Sequence, residues 1–110
     1  MKVTPQTKSK NYQDELIESL KDPIEASEYL NAAIEEKDLK LFLLALRNVI
    51  EAFGGMGKLS KKTKLNRENL YRMLSDRGNP EITSLGKVLE SVGLRIAVEV
   101  NDKPRHRLAA

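Results

Sequence analysis

The amino-acid sequence predicts a mainly α-helical bundle of five to six helices, followed by one short C-terminal β-strand. Apolar residues recur three and four positions apart along most of the chain, the spacing that gives a helix one apolar face. Charged residues make up 32% of the 110 residues and aromatic residues only 5%, with no tryptophan. This composition is more typical of a helical domain than of a β-sandwich.

One folded domain is expected over residues 11–100. With 40% apolar side chains, a chain of 110 residues can bury a core without covalent or metal links. Residues 1–10 hold three lysines and no acid, and we expect them to form a flexible basic arm. Residues 101–110 are expected to form a flexible tail.

The residue types present exclude most catalytic and metal chemistry. The sequence has no cysteine, and its one histidine, His106, lies between two arginines in the tail, so that no imidazole cluster can form. We therefore expect no metal, no cofactor and no enzymatic activity. No apolar run has the length of a signal peptide or a membrane span, which predicts a cytoplasmic protein without membrane contact.

Capping and stop residues set the helix boundaries. Asn11, Asp22 and Asp38 each stand where a helix N-cap is favoured, and Pro23 suits a first helical turn. Gly93 suits a helix end. The predicted helices cover residues 11–20, 22–36, 38–53, 56–64, 67–75 and 82–93.

The third helix is the most apolar, which predicts that it lies at the centre of the core. Its inward face comprises Leu39, Phe42, Leu43, Leu46, Val49, Ile50 and Phe53. The inward face of the second helix comprises Ile24, Tyr29, Leu30, Ala33 and Ile34. That of the sixth helix comprises Ile82, Leu85, Val88, Leu89 and Val92.

Residues 95–100 alternate in the manner of a β-strand, with Ile96, Val98 and Val100 on the apolar face. The chain offers no second strand, and a lone strand leaves its backbone hydrogen-bonding groups unpaired. We therefore expect a homodimer in which this strand pairs antiparallel with that of a second copy. Addition to the sheet of a different partner protein is the alternative.

Residues 56–75 meet the requirements of a helix-turn-helix, in which two short helices cross sharply. Ser60 is the small residue at the crossing, Leu65 fills the turn, and Asn66 caps the second helix. Lys64 occupies a position where glycine is usual, because the backbone there is left-handed. The inward residues of the two helices are Leu59, Thr63, Leu70, Met73 and Leu74.

The second helix of this motif is predicted to contact DNA bases in the major groove. Residues 54–80 hold seven bases and two acids, a net charge of +5, whereas residues 11–53 hold four bases and ten acids, a net charge of −6. The candidates for base contacts are Arg67, Glu68, Asn69 and Arg72. The candidates for phosphate contacts are Lys58, Lys61, Lys62, Tyr71, Arg77 and Asn79. The alternative is an ordinary bundle in which these charges only keep the surface hydrated.

Four stretches resemble the addiction-module antidote proteins, which are HigA-like antitoxins with a lambda-repressor-type (Cro/cI, XRE-like) helix-turn-helix. In order, they are DPIEASEYLNAAIEEKD, LFLLALRNVI, LNRENLYRMLSDRGNP and KVLESVGLRIAVEV. The resemblance implies a lambda-repressor-like fold and a type II toxin-antitoxin system. In such a system the protein neutralises a RelE-superfamily ribonuclease toxin and represses its own operon by binding double-stranded operator DNA. By position, the resemblance implies Asn66, Arg67, Glu68, Asn69 and Arg72 as recognition residues.

The acidic half of the chain is the expected toxin-facing surface, because a ribonuclease must present positive charge to hold RNA. Its candidate residues are Glu25, Glu28, Glu35 and Glu36, whose alternative role is simple hydration of a helix. Two alternative functions stay open. They are a stand-alone prophage-type repressor and a protein-interaction module without DNA binding.

Two further short motifs resemble known functional sequences but are weak evidence for those functions. GGMGKLS resembles a phosphate-binding loop but has Ala52 where the loop needs glycine and Leu59 where it needs serine or threonine. The C-terminal Leu108, Ala109 and Ala110 resemble the end of the bacterial degradation tag, which would suit a short-lived antitoxin.

Overall fold

The computed structural model describes residues 10–101, and this part of the chain is mainly α-helical, as predicted. The six helices are α1 (Lys10–Ser19), α2 (Pro23–Glu35), α3 (Leu39–Ala52), α4 (Gly55–Thr63), α5 (Arg67–Met73) and α6 (Ile82–Ser91). The arm predicted over residues 1–10 and the tail predicted over residues 101–110 lie outside the described residues, apart from Lys10 and Asn101. His106 and the Leu-Ala-Ala end lie outside them as well.

Capping side chains begin α2 and α3 at the predicted positions. The carboxylate of Asp22 accepts a hydrogen bond from the backbone N–H of Ile24 at 2.9 Å. The carboxylate of Asp38 accepts one from the N–H of Leu41 at 3.3 Å. The cap predicted at Asn11 was wrong, because α1 begins one residue earlier, at Lys10. Lysine is the better helix former of the two, so the first turn includes it.

Helix α3 forms the centre of the core, as predicted, and α1, α2 and α4 all pack on it. Its residues Leu43, Leu46 and Val49 are fully buried. Complete burial of such a side chain contributes about 1.5–3 kcal/mol to folding. Helix α4 also packs on α5 and α6, so it connects α5 to the core.

The sequence pattern predicts four apolar residues on inward faces that are exposed in the structure, namely Ile24, Ile34, Leu39 and Ile82. Helix α2 instead buries a stripe of one leucine between two alanines, Ala26, Leu30 and Ala33. Such a stripe allows α2 to approach α3 closely, and it places the two isoleucines outside the contact. Leu39 and Ile82 are the first residues of α3 and α6, where few neighbouring side chains cover them.

Helix α6 ends in a Schellman motif at Gly93, whose φ of +85° is left-handed. The backbone N–H of Gly93 donates to the carbonyl of Glu90 at 3.1 Å, and that of Leu94 donates to the carbonyl of Leu89 at 2.8 Å. These two bonds satisfy the last carbonyls of the helix. The sequence predicted this end correctly.

The β-strand predicted over residues 95–100 was wrong for the single chain, because the described residues contain no strand. Strand structure requires a backbone partner, and the described part of the chain supplies none. The three apolar residues of this segment lie on the surface, with Ile96 41%, Val98 95% and Val100 73% exposed.

Candidate nucleic-acid interface

The turn between α4 and α5 is built as a helix-turn-helix requires. The hydroxyl of Ser60 donates a hydrogen bond to the carbonyl of Leu65 at 2.7 Å, and Leu65 packs against the core. The hydroxyl of Thr63 accepts from the N–H of Leu65 at 3.2 Å. Lys64 has a φ of +63°, so this position is left-handed even with lysine in place of glycine. These contacts fix the direction in which α5 leaves α4.

Helix α5 is held from its inner side and capped at its start. Leu70 and Leu74 are fully buried, and Met73 packs against the core. The side-chain oxygen of Asn66 accepts a hydrogen bond from the N–H of Asn69 at 3.1 Å, as predicted for an N-cap. A helix of seven residues is too short to be stable alone, so these contacts determine its position.

All five recognition candidates are exposed, and all but Asn66 lie on α5. Asn66 uses its side-chain oxygen for the cap. The Asn69 oxygen accepts a hydrogen bond from the Arg72 guanidinium at 3.0 Å. The Arg67 guanidinium lies 5.8 Å from the centroid of the Tyr71 ring. Glu68 forms no ion pair within the described residues, although Arg72 stands one turn further on.

The phosphate candidates Lys58, Lys61, Lys62, Tyr71, Arg77 and Asn79 are likewise exposed. Lys62 differs from the others because its ammonium group donates a hydrogen bond to the carbonyl of Ser91 at 3.0 Å. Ser91 is the last residue of α6, so this lysine joins α4 to the end of α6. A phosphate contact by Lys62 would compete with that bond.

The far end of α5 is fixed by Arg47 of α3, a residue that the sequence did not single out. Its guanidinium donates hydrogen bonds to the carbonyl of Leu74 and, at 3.2 Å, to the carboxylate of Asp76. Gly78 packs beside the same end, where a Cβ atom would lie 1.9 Å from the carbonyl oxygen of Met73. The sequence could have indicated Arg47 only as the single arginine of an apolar helix. That pattern does not predict which residues the arginine contacts.

The acidic candidates Glu25, Glu28, Glu35 and Glu36 are all exposed and lie on α2 or at its C-cap. Residues 22–36 hold five acids and no base. None of these acids belongs to an ion pair within residues 10–101, where the pairs are Lys21 with Glu18 and Arg47 with Asp76. The structure therefore leaves the negative charge of α2 unneutralised.

Asn48 links the three N-terminal helices. Its side-chain N–H donates to the Tyr29 hydroxyl at 2.9 Å, and its oxygen accepts from the Gln13 amide at 3.2 Å. Burial raises the pKa of the Tyr29 phenol, the Asn48 hydrogen bond lowers it in part, and the nearby Tyr12 raises it further. Because Asn48 follows Arg47, adjacent residues of α3 contact the acidic helices and the end of α5.

Other kinds of site are not seen in the described part of the chain. Residues 10–101 contain no group of three or more side chains that could hold a metal ion. None of the helices described there is long and apolar enough to cross a membrane. The exposed face of α5, the acidic face of α2 and the exposed apolar residues Ile96, Val98 and Val100 are three surfaces of distinct chemical character.

Comparison with known proteins gives a family match. The family described as "Probable addiction module antidote protein" matches residues 10–100. A Haemophilus influenzae protein described as "Uncharacterized protein" is 32% identical over 71 residues, which cover 64% of this chain and 72% of that protein. No solved structure matches. The lambda-repressor-like fold and the HigA-like and XRE-like grouping therefore stay predictions.

Proposed function

Because this chain belongs to the family described as "Probable addiction module antidote protein", we propose that it is the DNA-binding antitoxin of a type II toxin-antitoxin module. It acts in the cytoplasm by binding rather than by catalysis. It neutralises a toxin of the RelE-superfamily ribonuclease class and represses its own operon. Family membership supports the antitoxin role, and the arrangement of α4 and α5 supports DNA binding.

The observation that carries DNA binding is the helix pair itself. A turn fixed by Ser60, Thr63 and Lys64 sets a short capped helix on the surface, with its arginines outward and lysines nearby. A helix in the major groove needs base-contacting side chains on its outer face and positive charge around it. Arg67 and Arg72 suit the two acceptors of guanine, and Glu68 suits the amino group of cytosine.

DNA binding is tested with the duplex upstream of the gene and a random-sequence duplex of equal length. Arg72→Ala should weaken binding to the upstream duplex by about 1–3 kcal/mol and leave the random duplex nearly unchanged. Lys61→Ala should weaken binding to both and lower the salt dependence by about one charge. Lys40→Ala, which removes an exposed lysine of α3 far from α5 in sequence, is the matched control. Equal losses on both duplexes for Arg72→Ala would show that this arginine reads no base.

We place the toxin on the acidic face of α2. Five acids without a base in residues 22–36 present a surface complementary to a basic ribonuclease. Reversal of Glu25, Glu28, Glu35 and Glu36 to lysine should abolish toxin neutralisation in co-expression and leave operator binding intact. Reversal of four exposed acids outside α2, namely Asp14, Glu15, Glu18 and Glu51, is the matched control. Neutralisation that survives the α2 reversal would move the toxin to another surface.

We further propose a homodimer joined through residues 95–100. Ile96, Val98 and Val100 are exposed, and the backbone of this segment forms no hydrogen bond within the described chain. Two-fold symmetry would set two α5 helices about 34 Å apart, one turn of DNA, on a palindromic operator.

Val98→Asp should convert the dimer to a monomer in analytical ultracentrifugation. If the wild-type chain is monomeric both free and on DNA, the dimer is wrong. If the segment pairs only in the presence of toxin, it adds to the toxin sheet instead.

The gene neighbourhood and DNA binding separate the alternative functions. A toxin gene beside this gene supports the antitoxin, whereas its absence together with operator binding supports a stand-alone repressor. Toxin binding without any salt-dependent binding to DNA supports a protein-interaction module.

A further inference from the structure

We infer that Tyr71 and Gly57 act as positioning residues that hold the Arg67 guanidinium ready to contact guanine. The inference rests on the proposed DNA binding and adds a role for two residues. It replaces the phosphate contact predicted for the Tyr71 hydroxyl with a role of the Tyr71 aromatic ring, so Tyr71 is no longer counted among the phosphate contacts.

The first observation is the contact between Arg67 and Tyr71. Four residues apart on α5, they lie one turn from each other on the same side of the helix. The Arg67 Cζ atom is 5.8 Å from the Tyr71 ring centroid, within the range of a cation–π contact. Both residues are exposed, so the Arg67 guanidinium can reach a ligand while it lies beside the Tyr71 ring.

The second observation is the position of Arg67 over Gly57 of α4. A Cβ atom built on Gly57 would lie 3.6 Å from Nη1, 3.8 Å from Cζ and 4.0 Å from Nη2 of Arg67. These similar distances indicate that the flat side of the guanidinium covers this point. Gly57 lies within a helix without a positive φ, so the backbone does not require glycine there. A Cβ atom at Gly57 would make ordinary van der Waals contact with the guanidinium, and a longer side chain is expected to compete with Arg67 for the same space.

Arg67 is therefore held by contacts that leave its donors free. It makes no hydrogen bond and no ion pair with the described residues, so its N–H groups can donate to the O6 and N7 atoms of guanine. An arginine that is already ordered loses less side-chain freedom on binding. This preorganisation should improve binding to the specific sequence and have little effect on attraction to phosphates.

The experiment uses two matched pairs of variants. One pair separates the Tyr71 ring from its hydroxyl, and the other tests the space beside Gly57. The DNA probe is a 20-base-pair duplex selected from a random pool by the wild-type protein, with an unselected duplex as reference. Tyr71→Phe and Gly57→Ala should keep the dissociation constant for the selected duplex within about twofold. Tyr71→Leu and Gly57→Gln should weaken it about three- to tenfold, because the Arg67 side chain must then be ordered on binding. All four should bind the unselected duplex within about twofold of wild type.

A double variant tests whether Tyr71 acts through Arg67. In an Arg67→Ala background, Tyr71→Leu should cause no further loss on the selected duplex. Two results would overturn the inference. One is an equal loss for Tyr71→Phe and Tyr71→Leu, which would assign the role to the hydroxyl. The other is an undiminished loss of binding to the selected duplex when Tyr71→Leu is added to the Arg67→Ala variant.

A measurement without DNA separates this inference from the proposed function. The Arg67 side-chain protons should show an upfield NMR shift from the Tyr71 ring that Tyr71→Leu removes and Tyr71→Phe preserves. Circular dichroism confirms that each variant is folded. Failure of the wild-type protein to select any duplex would refute DNA binding and the role in guanine recognition, with the NMR result still reporting the contact. Absence of the ring shift would refute the positioning contact alone.

Discussion

Replacement of Arg47 with methionine should loosen the end of the α5 helix. In the wild-type chain, the Arg47 guanidinium donates hydrogen bonds to the carbonyl of Leu74 and the carboxylate of Asp76. Methionine keeps an unbranched apolar stem and removes both donors, so that packing along the stem is largely retained. The C-terminal carbonyl of α5 then has no charged partner.

The magnitude of the loss follows from these two contacts. A hydrogen bond from a charged donor contributes about 1.5–3 kcal/mol, and the Leu74 carbonyl belongs to a fully buried residue. The ion pair contributes about 0.2–1 kcal/mol, because the Asp76 side chain is 63% exposed and the Arg47 side chain 32%. We expect Arg47→Met to lower the free energy of unfolding by about 2–4 kcal/mol. That is a large part of the stability of a small domain.

Urea unfolding followed by circular dichroism measures the loss, and amide hydrogen exchange locates it. The Leu74 N–H, which donates to Leu70 at 3.1 Å, should exchange faster in the variant. Lys40→Met, an exposed change on the same helix, should alter stability by less than about 0.5 kcal/mol. If Arg47→Met matches this control in both measurements, Arg47 does not hold α5 and the reasoning is wrong.

Three further predictions concern stability. Gly78→Ala should destabilise the fold by about 1–3 kcal/mol in urea unfolding, because its Cβ would collide with the Met73 carbonyl; a loss below about 0.5 kcal/mol would contradict this packing. Lys64→Gly should stabilise it by about 0.5–1 kcal/mol, since the position is left-handed, and Lys61→Gly inside α4 should do the opposite. Thermal unfolding checks both signs, and stabilisation by both changes would refute the argument. Because the pKa of Tyr29 is raised in the folded state, its contribution to stability is complete below pH 10.0 and is lost as the pH rises through the folded pKa. Tyr29→Phe should reduce that alkaline loss in urea unfolding, and an unchanged pH dependence would contradict it.

The proposed DNA contact and the proposed toxin contact should depend differently on salt concentration. DNA binding through the lysines around α5 should weaken steeply as salt concentration rises, because bound counterions are released from the duplex. The toxin contact proposed for α2 depends on charge as well, but it also has the exposed Ile24 and Ile34 beside the acids. The toxin contact should therefore persist at salt concentrations that abolish DNA binding.

Local signals account for the parts of the fold that the sequence predicted. Asp22 and Asp38 cap helices because their carboxylates reach amides two or three residues away. The apolar period of α3 and the pattern of residues 56–75 likewise depend on neighbours within a few turns. The six helices and the exposed face of α5 could thus be derived before any coordinates.

The errors arose where a residue's environment depends on more distant parts of the chain. Ile24 and Ile34 fit an apolar period, but the residues that α2 buries are Ala26, Leu30 and Ala33. The alternation of residues 95–100 fits a strand, but a strand exists only beside another strand. Periodicity gives the spacing of apolar residues, and it does not give the partner surface.

The sequence by itself determined the helical class, the two short helices joined by a tight turn over residues 56–75, and the segregation of charge, because each rests on spacing or composition. Only the tertiary structure decided which side chains lie together around α5. Arg47 meets Leu74 across 27 residues, and Gly57 meets Arg67 across two helices. Such pairs depend on the crossing of packed helices and on side-chain rotamers, which no local pattern specifies.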